Sequence, residues 1–140
     1  MASISGDQAW AKVGVMMRGS TEADAAHAFM LVSAGKGLAF QRRPTTGGPS
    51  AHTAGPATKA PYWVRLERRG QTVLASSSSN GTSWTLVGKA WVSLGSTAYV
   101  GVAVSSHRTG VLATAVFDSV RTTLATLAAP EWTGRDVGSV

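Results

Sequence analysis

Cysteine is absent from the 140 residues, so neither a disulfide nor a thiolate metal site is open to this chain. Charge is scarce, at 14% of residues, and acids are the scarcer sign, with 7 Asp and Glu against 13 Lys and Arg. Long apolar runs are missing, and none approaches the length of a membrane-spanning helix. Helical periodicity is missing too: no stretch of useful length repeats its apolar residues at i, i+3 and i+4. The opening "MASISGDQAW" has neither the basic nor the apolar region of a secretion signal, so any export signal is expected outside this chain.

What remains is a chain rich in glycine (16 residues) and 44% hydrophobic, with much Ser, Thr, Ala and Val. That composition belongs to a globular, β-rich protein with short turns. Its length suits one domain with a core large enough to dispense with disulfide staples. A net charge of +6 invites anionic partners. The charges are scattered and form no basic tail, so the excess reads first as a solubility feature, with neither a specific nucleic-acid partner nor membrane insertion expected.

"AKVGVMMRGS" (11 to 20) reads as a strand, with Val13, Val15 and Met17 on one side and Lys12, Met16 and Arg18 on the other. The polar "TEADAA" allows a short helical turn capped by Thr21. A hairpin follows, with arms His27 to Ser33 and Leu38 to Arg43 and a turn served by Gly35 and Gly37. Residues 44 to 61 hold four of the five prolines and read as one long loop without periodicity. "YWVRLERRG" alternates, placing Tyr62, Val64 and Leu66 toward a core and Trp63, Arg65 and Glu67 away from it, and Gly70 turns the chain into "QTVLASSS". Asn80-Gly81 is the strongest two-residue hairpin signal, and Trp84 and Trp91 read as core or hairpin anchors. "TAYVGVAVSSH" and "GVLATAVFDSVRTT" supply two more strands, joined at 107 to 110. Short strands at regular spacing with turn chemistry between them predict an all-β fold, an antiparallel β-sandwich.

The blocks "WAKVGVMMRGS", "HAFMLVSAGKGLAFQRRPTTGG", "APYWVRLERRGQTV", "SSNGTSWTLVG" and "YVGVAVSSHRTGVLATAVFDSV" follow in an order that resembles the concanavalin A-like sandwich modules of the beta-xylosidase C-terminal and "regulation of enolase" type. The resemblance covers roughly residues 10 to 123. It implies a jelly roll, repeated in large secreted bacterial proteins and often set beside glycoside hydrolases. Such a module normally opens with a segment like "W-T-x-x-D-I-G", which is missing before residue 10, whereas "PEWTGRDVGSV" at the far end looks like the opening of a following repeat. The resemblance therefore divides the chain into a module at 1–123 and a linker and tail at 124–140, and it implies a sandwich that is either incomplete or completed by borrowed strands, the tail folding back into its own sheet or, as favoured here, exchanging with a second copy or a neighbouring repeat. Trp132, Val137 and Val140 are the expected assembly residues, and Trp10 and Trp132 are expected at an intermodule contact.

Catalytic chemistry finds little support. Glycoside hydrolysis needs two converging carboxylates. Glu22 and Asp24 fall in a polar loop, Glu67 stands among Arg65, Arg68 and Arg69 where ion pairing suits it, and Asp118 is a lone acid of the last strand. His27, His52 and His107 are too dispersed to suggest zinc, and no nucleotide loop or serine elbow occurs. Neither an enzyme nor a cofactor is expected. A sugar site calls for an aromatic surface under the apolar side of a pyranose, with planar polar side chains reading its hydroxyls. Trp63 and Arg65, together with Arg18, Gln41 and Arg43, offer that mixture if their strands share a face. The expectation is a non-catalytic, extracellular carbohydrate-binding or adhesion module with a polysaccharide or glycan partner. The alternative is a structural module that assembles head-to-tail through its C-terminal segment, and a third reading is nonspecific binding of anionic polymers.

Overall fold

In the computed structural model, residues 1–5, 8–58, 61–107 and 113–118 are described. Among them there is no helix. The strands run β1 (Ala2–Ser5), β2 (Lys12–Arg18), β3 (His27–Ser33), β4 (Leu38–Arg43), β5 (Ala51–Ala54), β6 (Trp63–Arg69), β7 (Thr72–Ser78), β8 (Thr85–Trp91), β9 (Tyr99–Ser105) and β10 (Thr114–Phe117). Every pairing is antiparallel. One layer has the order β5-β4-β3-β2-β9. The other contains β6-β7-β8 and the pair β1-β10. These two parts are stitched where Ala2 and Tyr62 exchange backbone hydrogen bonds of 2.9 and 3.2 Å. Across the sandwich β2 faces β1 and β6, β3 faces β6 and β7, and β4 and β5 face β8. The chain is an antiparallel β-sandwich.

The period-2 pattern accounts for the core between the layers. Val13, Val15 and Met17 of β2 point inward with Ala28, Met30 and Val32 of β3 and Leu38 and Phe40 of β4. Val64 and Leu66 of β6, Val73 and Ala75 of β7, and Val92 and Leu94 beyond β8 meet them. Phe40 is fully buried and reaches Gly88, where a Cβ would lie 3.2 Å from its ring. The β7-β8 register shifts between Ala75 and Ser76, so Val87 is an extra residue of β8; it packs on the core beside Gly88.

Strand β3 is buried on both sides. Its outward Phe29 and Leu31 form a second small cluster with Ala39, flanked by Met16 and Ala103. An unbroken "AFMLV" is the pattern such a strand requires.

Turns follow their residues. Arg69 pairs with Thr72, so Gly70-Gln71 is a two-residue hairpin turn, with Gly70 at φ +62°. In the β3-β4 turn it is Gly37 that takes positive φ (+76°), not Gly35. Near the chain start, the Met1 amine donates to the Asp118 carbonyl at 2.6 Å, and the Asp118 N–H donates to Met1 O at 2.9 Å, closing the outer end of the β1-β10 pair.

Four expectations need correction. The 44–61 stretch is not all loop, because β5 lies inside it, held by backbone pairing to β4. Residues 21 to 26 form turns and no helix. The strands on either side of 107–110 are not partners: β9 pairs with β2 in one layer and β10 with β1 in the other. Trp91 is not an anchor, since it stands 56% exposed on the outside of β8.

Candidate functional site

The five sequence-predicted binding residues fall into two groups on opposite layers. Trp63 and Arg65 lie on the outer side of β6, opposite Val64 and Leu66, as alternation predicts. Arg18 of β2 and Gln41 and Arg43 of β4 lie on the outer side of the other sheet. The row therefore does not form one surface: parity along each strand was read correctly, but the strands belong to different sheets. The expected assembly residues Trp132, Val137 and Val140 lie outside the described residues.

On β6 the aromatic-arginine pair is occupied by its own sheet. The Arg65 guanidinium sits 4.3 Å from the centre of the Trp84 ring, so the two stack on each other. Trp63 rests on the turn after β7. A Cβ at Gly81 (φ +77°) would lie 2.8 Å from the indole, so glycine is needed there both for the backbone and for the ring. That turn is built by Ser78 and Asn80. The Ser78 hydroxyl accepts from the Asn80 and Gly81 N–H groups, and Asn80 Oδ1 accepts from those of Thr82 and Ser83. Glu67 pairs with Arg69 at 3.0 Å, as its neighbours suggested. Arg68 donates to the Gly70 and Gly95 carbonyls.

The other outer face, on β5-β4-β3-β2-β9, brings together residues that sequence reasoning left apart. Residues 8 to 11 form a turn ahead of β2, closed by Ala11 N–H donating to Gln8 O (2.9 Å) and tied to the β3-β4 turn, with Gly35 N–H donating to Ala9 O (2.9 Å) and Ala34 N–H to Ala11 O (2.8 Å). The turn sets Trp10 beside Lys12. Gln41 and His52 are register partners on β4 and β5. The Lys12 ammonium donates to Gln41 Oε1 at 3.1 Å, and Gln41 Nε2 donates to His52 Nδ1 at 3.2 Å. An ammonium can only donate, so one amide orientation satisfies both contacts and the imidazole proton falls to Nε2. The His52 ring meets Trp10 edge-on, with centroids 5.5 Å apart at 82°, and the Lys12 nitrogen lies 5.9 Å from the Trp10 ring centre. The Lys12-Gln41 diagonal spans the Gly14-Leu31-Ala39 row, so an apolar floor underlies a polar rim.

Arg18, His27 and Arg43 gather at the far end of this face. Arg18 donates to the Ser20 and Glu22 carbonyls at 3.1 and 2.5 Å, and Arg43 to the Gly48 and Ala23 carbonyls at 3.1 and 3.0 Å. Both guanidiniums thus clamp the surrounding loops. Burial lowers the Arg18 pKa, and Arg43 adds to the lowering. Burial also lowers the His27 pKa; its Nδ1–H···O bond to Ala25 (3.2 Å) pulls upward, while Arg18 and Arg43 push down. Burial lowers the Lys12 pKa from its ordinary value as well. Trp10 and His52 were missed because they face each other across two intervening strands. Strand parity gave no signal either, because Trp10 lies in a turn. Among the described residues no three His, Asp or Glu side chains gather where a metal ion could be held.

No protein-family model matches the chain, and no curated protein matches it. Among solved structures, it is similar to a functionally unknown protein from Saccharomyces cerevisiae, at 19% identity and a TM-score of 0.56 over 74% of this chain. The chain matches 55% of that protein's length. At this identity the likeness speaks for the shared β-sandwich.

Proposed function

We propose that this protein is a non-catalytic carbohydrate-binding or adhesion module of an exported protein, as its resemblance to concanavalin A-like modules implied, and that its sugar-facing surface is the outer side of β5-β4-β3-β2-β9. The observation that carries the reading is the Trp10–Lys12–Gln41–His52 group. It combines an aromatic ring, an amide, an imidazole and an ammonium, pre-positioned by their own hydrogen bonds over an apolar floor. Rigid polar groups beside an aromatic ring suit a sugar, whose ring offers one apolar side and a rim of hydroxyls. Gln41 remains from the original candidate row, while Trp63 and Arg65 become structural. A non-catalytic role is supported by the scatter of the acids among the described residues: Glu22 and Asp24 in an exposed loop, Glu67 on Arg69, and Asp118 after β10. A glycan array probed with the wild type and with Trp10→Ala and His52→Ala tests this reading. Binding that both variants lose, with unchanged melting temperature, supports it; binding that both keep removes the site.

One observation favours assembly as a second reading. Val100, Val102 and Val104 lie on the core side of β9, in register with Met17, Val15 and Val13, yet remain 39%, 37% and 47% exposed. An apolar row of this kind at a sheet edge suits addition of another strand. Light scattering before and after removal of residues 129 to 140 tests it. A chain that is monomeric throughout ends the reading.

A further inference from the structure

Among the described residues, the charge on the outer face of β5-β4-β3-β2-β9 is of one sign. These five strands contain no Asp or Glu, and their outward side chains include Lys12, Arg18 and Arg43 with His27 and His52. The arginines of this face are committed, Arg18 and Arg43 both to loop carbonyls. Lys12 differs. Its half-buried ammonium makes one hydrogen bond, to Gln41, and the Trp10 ring is its other neighbour; it pairs with no carboxylate among the described residues. An ammonium has three donors, and a cation drawn partly out of water without a counter-ion is costly unless an anion completes it.

We propose that the ligand of this face is an acidic glycan, with the carboxylate of a uronic-acid unit seated on Lys12 and the sugar ring held between Trp10, Gln41 and His52. This rests on the glycan reading above and names its substrate class. The lowered Lys12 pKa agrees with an ammonium that lacks compensation. An ammonium without a carboxylate partner among the described residues, set beside an aromatic ring, fits one carboxylate on a sugar. A polyphosphate would need a track of free cations and would bind with a steep dependence on salt.

The test is calorimetric titration of the full chain with a panel of uronate oligosaccharides: oligogalacturonate, oligoglucuronate and oligomannuronate. Each is compared with its methyl ester, and sulfated with plain dextran oligomers. The proteins are the wild type, Lys12→Met, Lys12→Arg and Trp10→Ala. A charge-assisted hydrogen bond sets the scale, so esterification or Lys12→Met is expected to weaken uronate binding roughly 10- to 100-fold. Lys12→Arg, which keeps the charge, is expected to retain most of the affinity. Equal affinity for acid and ester, or full affinity in a folded Lys12→Met, overturns the proposal while leaving the glycan reading intact if Trp10→Ala still abolishes binding. Preference for sulfated dextran over every uronate moves the anion to a sulfate ester and overturns the carboxylate assignment. Equal competition by single-stranded DNA also overturns it. If no acid, ester or neutral oligosaccharide binds, the glycan reading falls, and this proposal with it.

Discussion

The sandwich has two outer faces, and they use the same kinds of residue to opposite ends. On β6-β7-β8, tryptophan and arginine are spent on each other and on the fold. Arg65 stacks on Trp84, Trp63 lies on Gly81, and Arg69 holds Glu67. On β5-β4-β3-β2-β9, Trp10 meets a histidine and Lys12 meets an amide, and no acid among the described residues closes the circuit. Residue type alone therefore does not mark a site. What separates the faces is that the second leaves a half-buried ammonium with one amide oxygen as its acceptor, whereas the first sets arginine against a carboxylate or an indole ring.

The largest effect expected is on the core that both faces share. Phe40→Ala should cost about 3–5 kcal/mol, since the ring is fully buried. The two faces should then be lost together in denaturant. Separate midpoints for the Trp84 and Trp10 environments would show that they are independent units. Trp63→Ala should cost less, about 1–3 kcal/mol, because the indole is only half-buried. It should leave glycan affinity untouched; a variant of normal stability with lost binding would return the site to β6. Arg65→Ala should cost about 0.5–1 kcal/mol through its lost stacking on Trp84, again without change in affinity. Chemical denaturation beside titration measures both.

The gentlest effect expected is with acid. The folded-state pKa of His27 is lowered, so the unfolded chain takes up its proton near about 6.5 and the folded chain only at lower pH. Between those values the unfolded state binds more protons, so stability falls as the medium is acidified below about 6.5 and is unaffected by this group above it. Melting temperature against pH should show the decline, and His27→Gln should flatten it. An identical slope in the variant would mean that other groups control acid sensitivity.

Much of the fold was legible because alternation and turn chemistry are local. The hairpin arms His27–Ser33 and Leu38–Arg43 carry their own apolar pattern and meet at a glycine turn. Strand β5 was not legible: "AHTA" has no pattern of its own, and its extended form comes from pairing with β4. The site was half legible for the same reason. Parity told which way Trp63 and Arg65 point, but membership of a sheet is decided by topology, and topology put them on the layer away from Arg18, Gln41 and Arg43. His52 reaches Trp10 only through the β2-β3-β4-β5 order, which nothing near either residue encodes.

The reciprocal bonds between Met1 and Asp118 set how this molecule would carry a pulling load. Positions 1 and 118 sit at the same end of the β1-β10 pair, with Ala2 opposite Phe117 and Ser5 opposite Thr114. Tension applied through those two points meets the hydrogen bonds one after another, as in a zipper, and not side by side as in shear. A module tethered there would open first at that seam under small forces. Its larger sheet, which takes no part in the β1-β10 pairing, would still be folded when the seam had parted.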